Sequence, residues 1–185
     1  MESTNMQTEI DKALDTLKQG GIILYPSDTI WGIGCDATNT DAIAKIFKLK
    51  KRLDSKALIS LVASKEQLKS ITETIPDLDI TSSPTTIIYP KIKGLGQNLL
   101  AENGSAAIRI TQDTFCQKLI FSFGKAIVST SANISGEKAP KQFSEILKEI
   151  KNNVDYIVNL RQNELMSTPS SILIINEDTS ITKIR

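Results

Sequence analysis

Short apolar runs alternate with stretches of helical period along nearly the whole chain, and this alternation restricts the fold more than any other feature. Ile10, Ala13, Leu14 and Leu17 recur at the spacing of one helix face, and Gly20-Gly21 supplies a stop. Residues 22–25 form a strand-length apolar run closed by Pro26. Thr40 is placed to cap a second helix with Ala42, Ile43, Ile46 and Phe47 on its inner face. Ser64-Lys65-Glu66-Gln67 reads as a capping box opening a third. Thr111 or Asp113 opens a helix through Phe115, Leu119, Ile120 and Phe123 that Gly124 stops, and Phe143, Ile146, Leu147 and Ile150 give one more helical face. Residues 58–62, 85–89, 106–110, 126–130, 154–158, 171–175 and 181–184 read as strands, the last two joined by the turn residues 176–179. The expectation is an α/β domain spanning residues 1–185, a single twisted sheet flanked by helices. The closing hairpin makes that sheet mixed rather than purely parallel.

The composition excludes several chemistries. Among 185 residues there is no histidine, which removes Ser-His-Asp and Cys-His mechanisms and histidine-ligated metal sites. Catalysis must therefore rest on Lys, Arg, Asp, Glu, Ser, Thr, Tyr or ions carried by a substrate. The two cysteines, Cys35 and Cys116, show no metal-ligand spacing and read as buried free thiols of a reducing compartment. A net charge of +1 does not indicate a globally basic nucleic-acid binder. The polar N-terminus and the absence of a long apolar run predict a cytoplasmic protein with no membrane span.

Polar groups gather at four places near strand ends, where open α/β sheets bind ligands. The first is the loop 25–35, where Ser27, Asp28 and Thr29 precede Gly32-Ile33-Gly34; its hydroxyls suit a ligand and its glycines allow close approach, or it is a capped loop with Trp31 in the core. The second is the basic run Lys45, Lys48, Lys50, Lys51, Arg52 and Lys56. Lys45 and Lys48 belong to a solvated helix face, whereas Lys50 and Arg52 lie past the helical pattern and suit one anion. The third is Ser129-Thr130-Ser131-Ala132-Asn133-Ile134-Ser135-Gly136, a crowd of hydroxyl and amide groups fit to cradle phosphate or carboxylate, or an ordinary polar turn. The fourth is Thr168-Pro169-Ser170-Ser171 together with Arg109, which stands within an apolar strand and needs an internal acid or a carboxylate ligand. Residues 159–169 are the best candidate for a mobile loop.

In this order the segments resemble the YrdC-like family of threonylcarbamoyl-AMP synthases, over about residues 10–185. The family loop P-[ST]-[DE]-T-x-[YFW]-G-[LIV]-G is matched from Pro26 to Gly34 and its K-x-R by Lys50 and Arg52 with Lys56 following. The arginine-bearing strand is matched by Arg109, S-T-S-A-N-x-S-G in full by residues 129–136, and P-S-[TS] by Pro169, Ser170 and Ser171. The resemblance implies a short-form enzyme that joins L-threonine, bicarbonate or CO2, and ATP into threonylcarbamoyl-adenylate, releasing pyrophosphate, for threonylcarbamoyladenosine modification of tRNA. It implies catalytic roles for Lys50 and Arg52. ATP would be bound by Lys50, Arg52, Lys56, Ser131, Asn133 and Arg185, and threonine by Thr29, Arg109, Ser129 and Ser170. Mg²⁺ is implied through the triphosphate rather than through a protein metal motif. Transferase partners would accept the adenylate. The chain departs from the family where W-P-G-P-x-T reads Thr81-Ser82-Ser83-Pro84-Thr85-Thr86, at Leu53, where a proline is usual, and at Leu61, where a histidine is common. The competing expectation is a non-catalytic module that binds tRNA or double-stranded RNA through a basic concave surface.

Overall fold

The computed structural model describes residues 2–51 and 58–185. Among them nine strands form one mixed sheet in the order β7-β1-β2-β6-β3-β5-β4-β8-β9. The strands are β1 (Ile23–Tyr25), β2 (Gly32–Gly34), β3 (Ile59–Val62), β4 (Thr85–Tyr89), β5 (Ala106–Ile110), β6 (Ile127–Ser131), β7 (Tyr156–Ile157), β8 (Ser171–Ile175) and β9 (Ile181–Lys183). The helices are α1 (Glu2–Lys18), α2 (Thr40–Leu49), α3 (Lys65–Ile71), α4 (Thr114–Phe123) and α5 (Lys148–Lys151). No helix among the described residues is long and apolar enough to cross a membrane.

Local chemistry explains most boundaries. Ser64 accepts the Gln67 amide N–H, while the Gln67 side chain accepts from Ala63 N at 2.7 Å, so the capping reciprocity expected at α3 is present one residue displaced. Asp113 caps α4 by accepting Cys116 N, and Gly124 ends that helix at φ 72. The cap of α2 is Asn39 rather than Thr40, because the Asn39 carboxamide reaches the N–H groups of both Asp41 and Ala42. The helix expected over 143–150 is divided. A 3₁₀ turn at Phe143–Glu145 gives way to extended backbone at Ile146 (ψ 127) and Leu147 (ψ 141) before α5 begins. Ile146 and Ile150 are buried all the same, but Leu147, expected on the same face, is 43% exposed, so the helical face fails both in continuity and at that position.

Two apolar clusters lie on opposite faces of the sheet. One packs Leu24, Ile33, Val62, Ile87, Ile108 and Val128 against α2 and α3. The other packs Ile23, Tyr25, Leu61 and Ile127 against α1 and α4 through Ile10, Leu17, Phe115 and Leu119. Gly32-Ile33-Gly34 is a central strand, not a ligand-cradling loop. A Cβ at Gly34 would lie 2.4 Å from the Val128 carbonyl oxygen and 2.7 Å from the Tyr25 ring; what approaches the glycines is the protein's own interior. Trp31 is fully buried against Phe143, with ring centroids 5.0 Å apart.

The segment between β7 and β8 joins the first strand position to the eighth. Flat strand spacing puts those positions roughly 33 Å apart, so residues 158–170 run well extended across the molecule. They are tied down along the way. Asn159 N donates to buried Glu9, the Arg161 guanidinium meets Asp113 and Glu164, and Met166 N donates to Lys141 O at 2.6 Å. The loop expected to be mobile is therefore a fastened strap.

Candidate active site

Sheet register brings the polar side chains to one face. Arg109 stands opposite Leu61 on β3 and Thr86 on β4, while Ile59 stands opposite Ser129 on β6. Alternate residues share a face, so Thr86, Arg109 and Ser129 project from the side that carries α1 and α4. Ser170, immediately before β8, joins them through a 2.8 Å contact between its hydroxyl and that of Thr86. Thr86, Arg109 and Ser170 are each at most 3% exposed.

The loop between β1 and β2 supplies the next layer. Ser27 Oγ donates to Ile30 O at 2.8 Å and accepts from Thr29 N at 3.2 Å. The 3.0 Å contact between Ser27 and Thr29 hydroxyls is then donated by Thr29, whose oxygen keeps acceptor capacity. Asp28 reaches across to β5: its Oδ1 accepts from Arg109 Nη2 at 3.0 Å and its Oδ2 from Gln112 N at 3.1 Å. The internal acid that Arg109 needed is thus Asp28. Arg109 Nε has no acceptor among the described residues.

A second group forms where β6 ends. Lys50, at the C-terminus of α2 and 2% exposed, donates from Nζ to Ser131 O at 2.6 Å and Asn133 O at 2.7 Å, and its own carbonyl accepts Ser135 N at 3.0 Å. Both its side chain and its backbone hold the 129–136 loop. Asn133 Nδ2 donates to Ile134 O and Glu137 O, leaving its buried Oδ1 unpartnered among the described residues. Arg52 and Lys56 lie outside the described residues. Arg185 is found with the first group instead of the second: its guanidinium donates to Ser170 O at 3.0 and 3.2 Å.

The two cysteines and Tyr25 offer no alternative nucleophile. Burial pushes the Cys35 and Cys116 thiols up, so both stay protonated and unreactive at neutral pH. Burial likewise raises the Tyr25 hydroxyl, which donates to Val128 O at 3.2 Å. Among the described residues, no group of three or more Cys, Asp or Glu could hold a metal ion. Of the basic run, Lys45 lies on the exposed face of α2 as expected and donates to Gly20 O, and exposed Lys51 pairs with Glu149. Sequence reasoning singled out Arg109 but not its partner. Asp28 is the one acid within the polar loop following β1, but only the fold brings it to Arg109.

The sequence matches the Sua5/YciO/YrdC family, described as telomere recombination, over residues 15–185. The chain belongs to this family. A threonylcarbamoyl-AMP synthase of Psychromonas ingrahamii is 34% identical over 176 residues, covering 90% of this chain and 92% of the relative. A threonylcarbamoyl-AMP synthase of Vibrio parahaemolyticus is 37% identical over 134 residues, 68% of this chain and 72% of the relative. In fold, the chain resembles P. abyssi Sua5 complexed with L-threonine, with a TM-score of 0.81 at 22% identity over 95% of this chain; it spans about half, 53%, of that longer protein. E. coli YciO matches over 97% of this chain and 89% of its own, at TM-score 0.77 and 19% identity.

Proposed function

We infer that this member of the family is a threonylcarbamoyl-AMP synthase, an ATP-dependent nucleotidyltransferase of the cytoplasm. One observation carries the reading: a buried arginine suited to a carboxylate shares a face with the hydroxyls of Ser129 and Ser170, beside a polar loop held by Lys50. The relatives' name supplies the substrates that fit it. L-Threonine would place its carboxylate at Arg109 and its polar groups among Thr29, Ser129 and Ser170. ATP would lie along Ser131 and Asn133 with its phosphates toward Lys50, Arg52 and Lys56, and Mg²⁺ would arrive with the triphosphate as part of the substrate. Arg185, at Ser170, would close the threonine end. Carbamate forms when the threonine amine adds to CO2 with loss of a proton, or to bicarbonate with loss of water. A carbamate oxygen then attacks the α-phosphorus; the bond to the β-phosphate oxygen breaks and pyrophosphate leaves. Positioning and charge neutralisation account for such a step without a histidine. The adenylate would pass to transferase partners acting on tRNA.

The RNA-module alternative is not favoured. The lysines it needs are partly engaged, and Phe121 is the exposed aromatic ring among the described residues, too little for a base-stacking platform. The test is pyrophosphate release from ATP, bicarbonate and Mg²⁺ with and without L-threonine. Threonine-dependent release that Arg52→Ala abolishes is expected. Absence of release, with RNA bound and ATP not, overturns the reading.

A further inference from the structure

The geometry points to Asp28 as a positioning residue for carboxylate recognition, acting through Arg109; this rests on the reading that Arg109 receives the carboxylate of threonine. Arg109 is 3% exposed in its side chain and Asp28 only 11%, and their 3.0 Å contact is made through one terminal nitrogen, Nη2. Asp28 cannot swing to follow the guanidinium, because its other oxygen is held by Gln112 N just beyond β5. The carboxylate therefore spans the β1–β2 loop and the end of β5, and it takes a single terminal nitrogen of the guanidinium. The Nε–H beside that nitrogen has no acceptor among the described residues. A buried N–H left unpaired is costly, so a ligand acceptor that satisfies it gains affinity on binding. A carboxylate taking Nε and a neighbouring terminal nitrogen would satisfy it in the two-point geometry that arginine favours.

The same arrangement gives Asp28 a selective role. It neutralises the buried cation when the site is empty, and it leaves the Nε–H for a second carboxylate. Neighbouring Thr29 is placed by the same loop, so an orienting error at Asp28 reaches the threonine end of the site and not the loop held by Lys50.

The test is titration calorimetry of the full chain with L-threonine, with L-threoninol, which lacks the carboxylate, and with ATP, for wild type, Asp28→Asn and Asp28→Glu. Asp28→Asn is expected to weaken threonine about tenfold. It is expected to leave ATP within twofold and threoninol unchanged, and Asp28→Glu is expected to restore part of the loss. A merely structural role would weaken all three ligands together and overturn the proposal. So would a threonine affinity in Asp28→Asn equal to or tighter than wild type. Should wild type itself bind threonine no better than threoninol, the assignment of Arg109 to the carboxylate fails instead. Thermal melts of each variant identify any that does not fold, and Asp28→Glu, which keeps the charge, then carries the comparison.

Discussion

The two faces of the one sheet are built to different rules. The face under α2 and α3 is apolar from Leu24 through Ile33, Val128, Val62, Ile108 and Ile87, strand after strand. On the opposite face α1 and α4 bury Ile23, Tyr25, Ile127 and Leu61. Beyond them the same face carries Ser129, Arg109 and Thr86 on β6, β5 and β4. The closed face holds the fold together through burial, while the half-covered face keeps polar groups whose hydrogen bonding is local and incomplete. What separates structure from site in this protein is thus the parity of a residue along its strand, not its distance from the sheet's centre: Ile108 and Arg109 are chain neighbours with opposite tasks.

That contrast can be broken from either side. Arg109→Ala should abolish threonine-dependent turnover, at least ~100-fold by pyrophosphate release. It should also cost about 3–5 kcal/mol in a urea melt, since Asp28 would remain nearly buried without its partner. Trp31→Ala, on the closed side, should cost a comparable ~3–5 kcal/mol yet leave kcat/KM of the folded fraction within a few-fold. Equal activity losses in the two variants would erase the distinction between the faces. Gly34→Ala should be destabilising by about 1–3 kcal/mol, because the new methyl meets the Val128 carbonyl within a strand that cannot widen. Lys51→Ala removes an exposed pair with Glu149 and should leave the urea midpoint essentially unchanged.

The smallest effect concerns acid. Asp79 accepts from Thr81 N, Thr81 Oγ1 and Ser82 N, and these bonds hold its carboxyl down at about 2. A depressed carboxyl contributes stability that is full above the ordinary value of 3.8 and is lost as pH falls towards 2. The melting-temperature gap between wild type and Asp79→Ala should therefore be constant near neutrality and close between pH 4 and pH 2. The same bonds shape the departure at residues 81–84, where an Asx-type turn leads into β4 without the tryptophan and glycine usual in the family.

Most of this organisation was legible in the sequence because it is written in local spacing. The capping Ser64 and Asp113, the stop at Gly124 and the apolar runs of β3, β4, β5 and β8 each declare themselves within a few residues. β2 did not, since Gly32-Ile33-Gly34 offers a single apolar side chain; its strand character comes from Tyr25 and Val128, which are brought near only by folding. For the same reason Arg109 was identifiable as a buried charge in need of a partner, while its pairing with Asp28, 81 positions away, was not. The Ser131–Asn133 loop was legible as a polar cluster, but its attachment to Lys50 depends on where α2 ends. The division of residues 143–150 has no counterpart in the hydrophobic pattern, which is identical for a broken and a continuous helix facing one core.

The strap from β7 to β8 has a consequence for how the chain can be divided. Everything beyond it is a β-hairpin that occupies the outer edge of the sheet, held by the parallel pairing of β8 with β4, yet it carries Arg185 and is entered through Ser170, the strap's last residue. A single cut between Arg161 and Met166 leaves anchored stumps on either side, at Asp113 and at Lys141. The protein is thereby a natural candidate for fragment complementation: residues 1–162 and a synthetic peptide of residues 166–185 would each lack an intact site, and activity would report their reassembly.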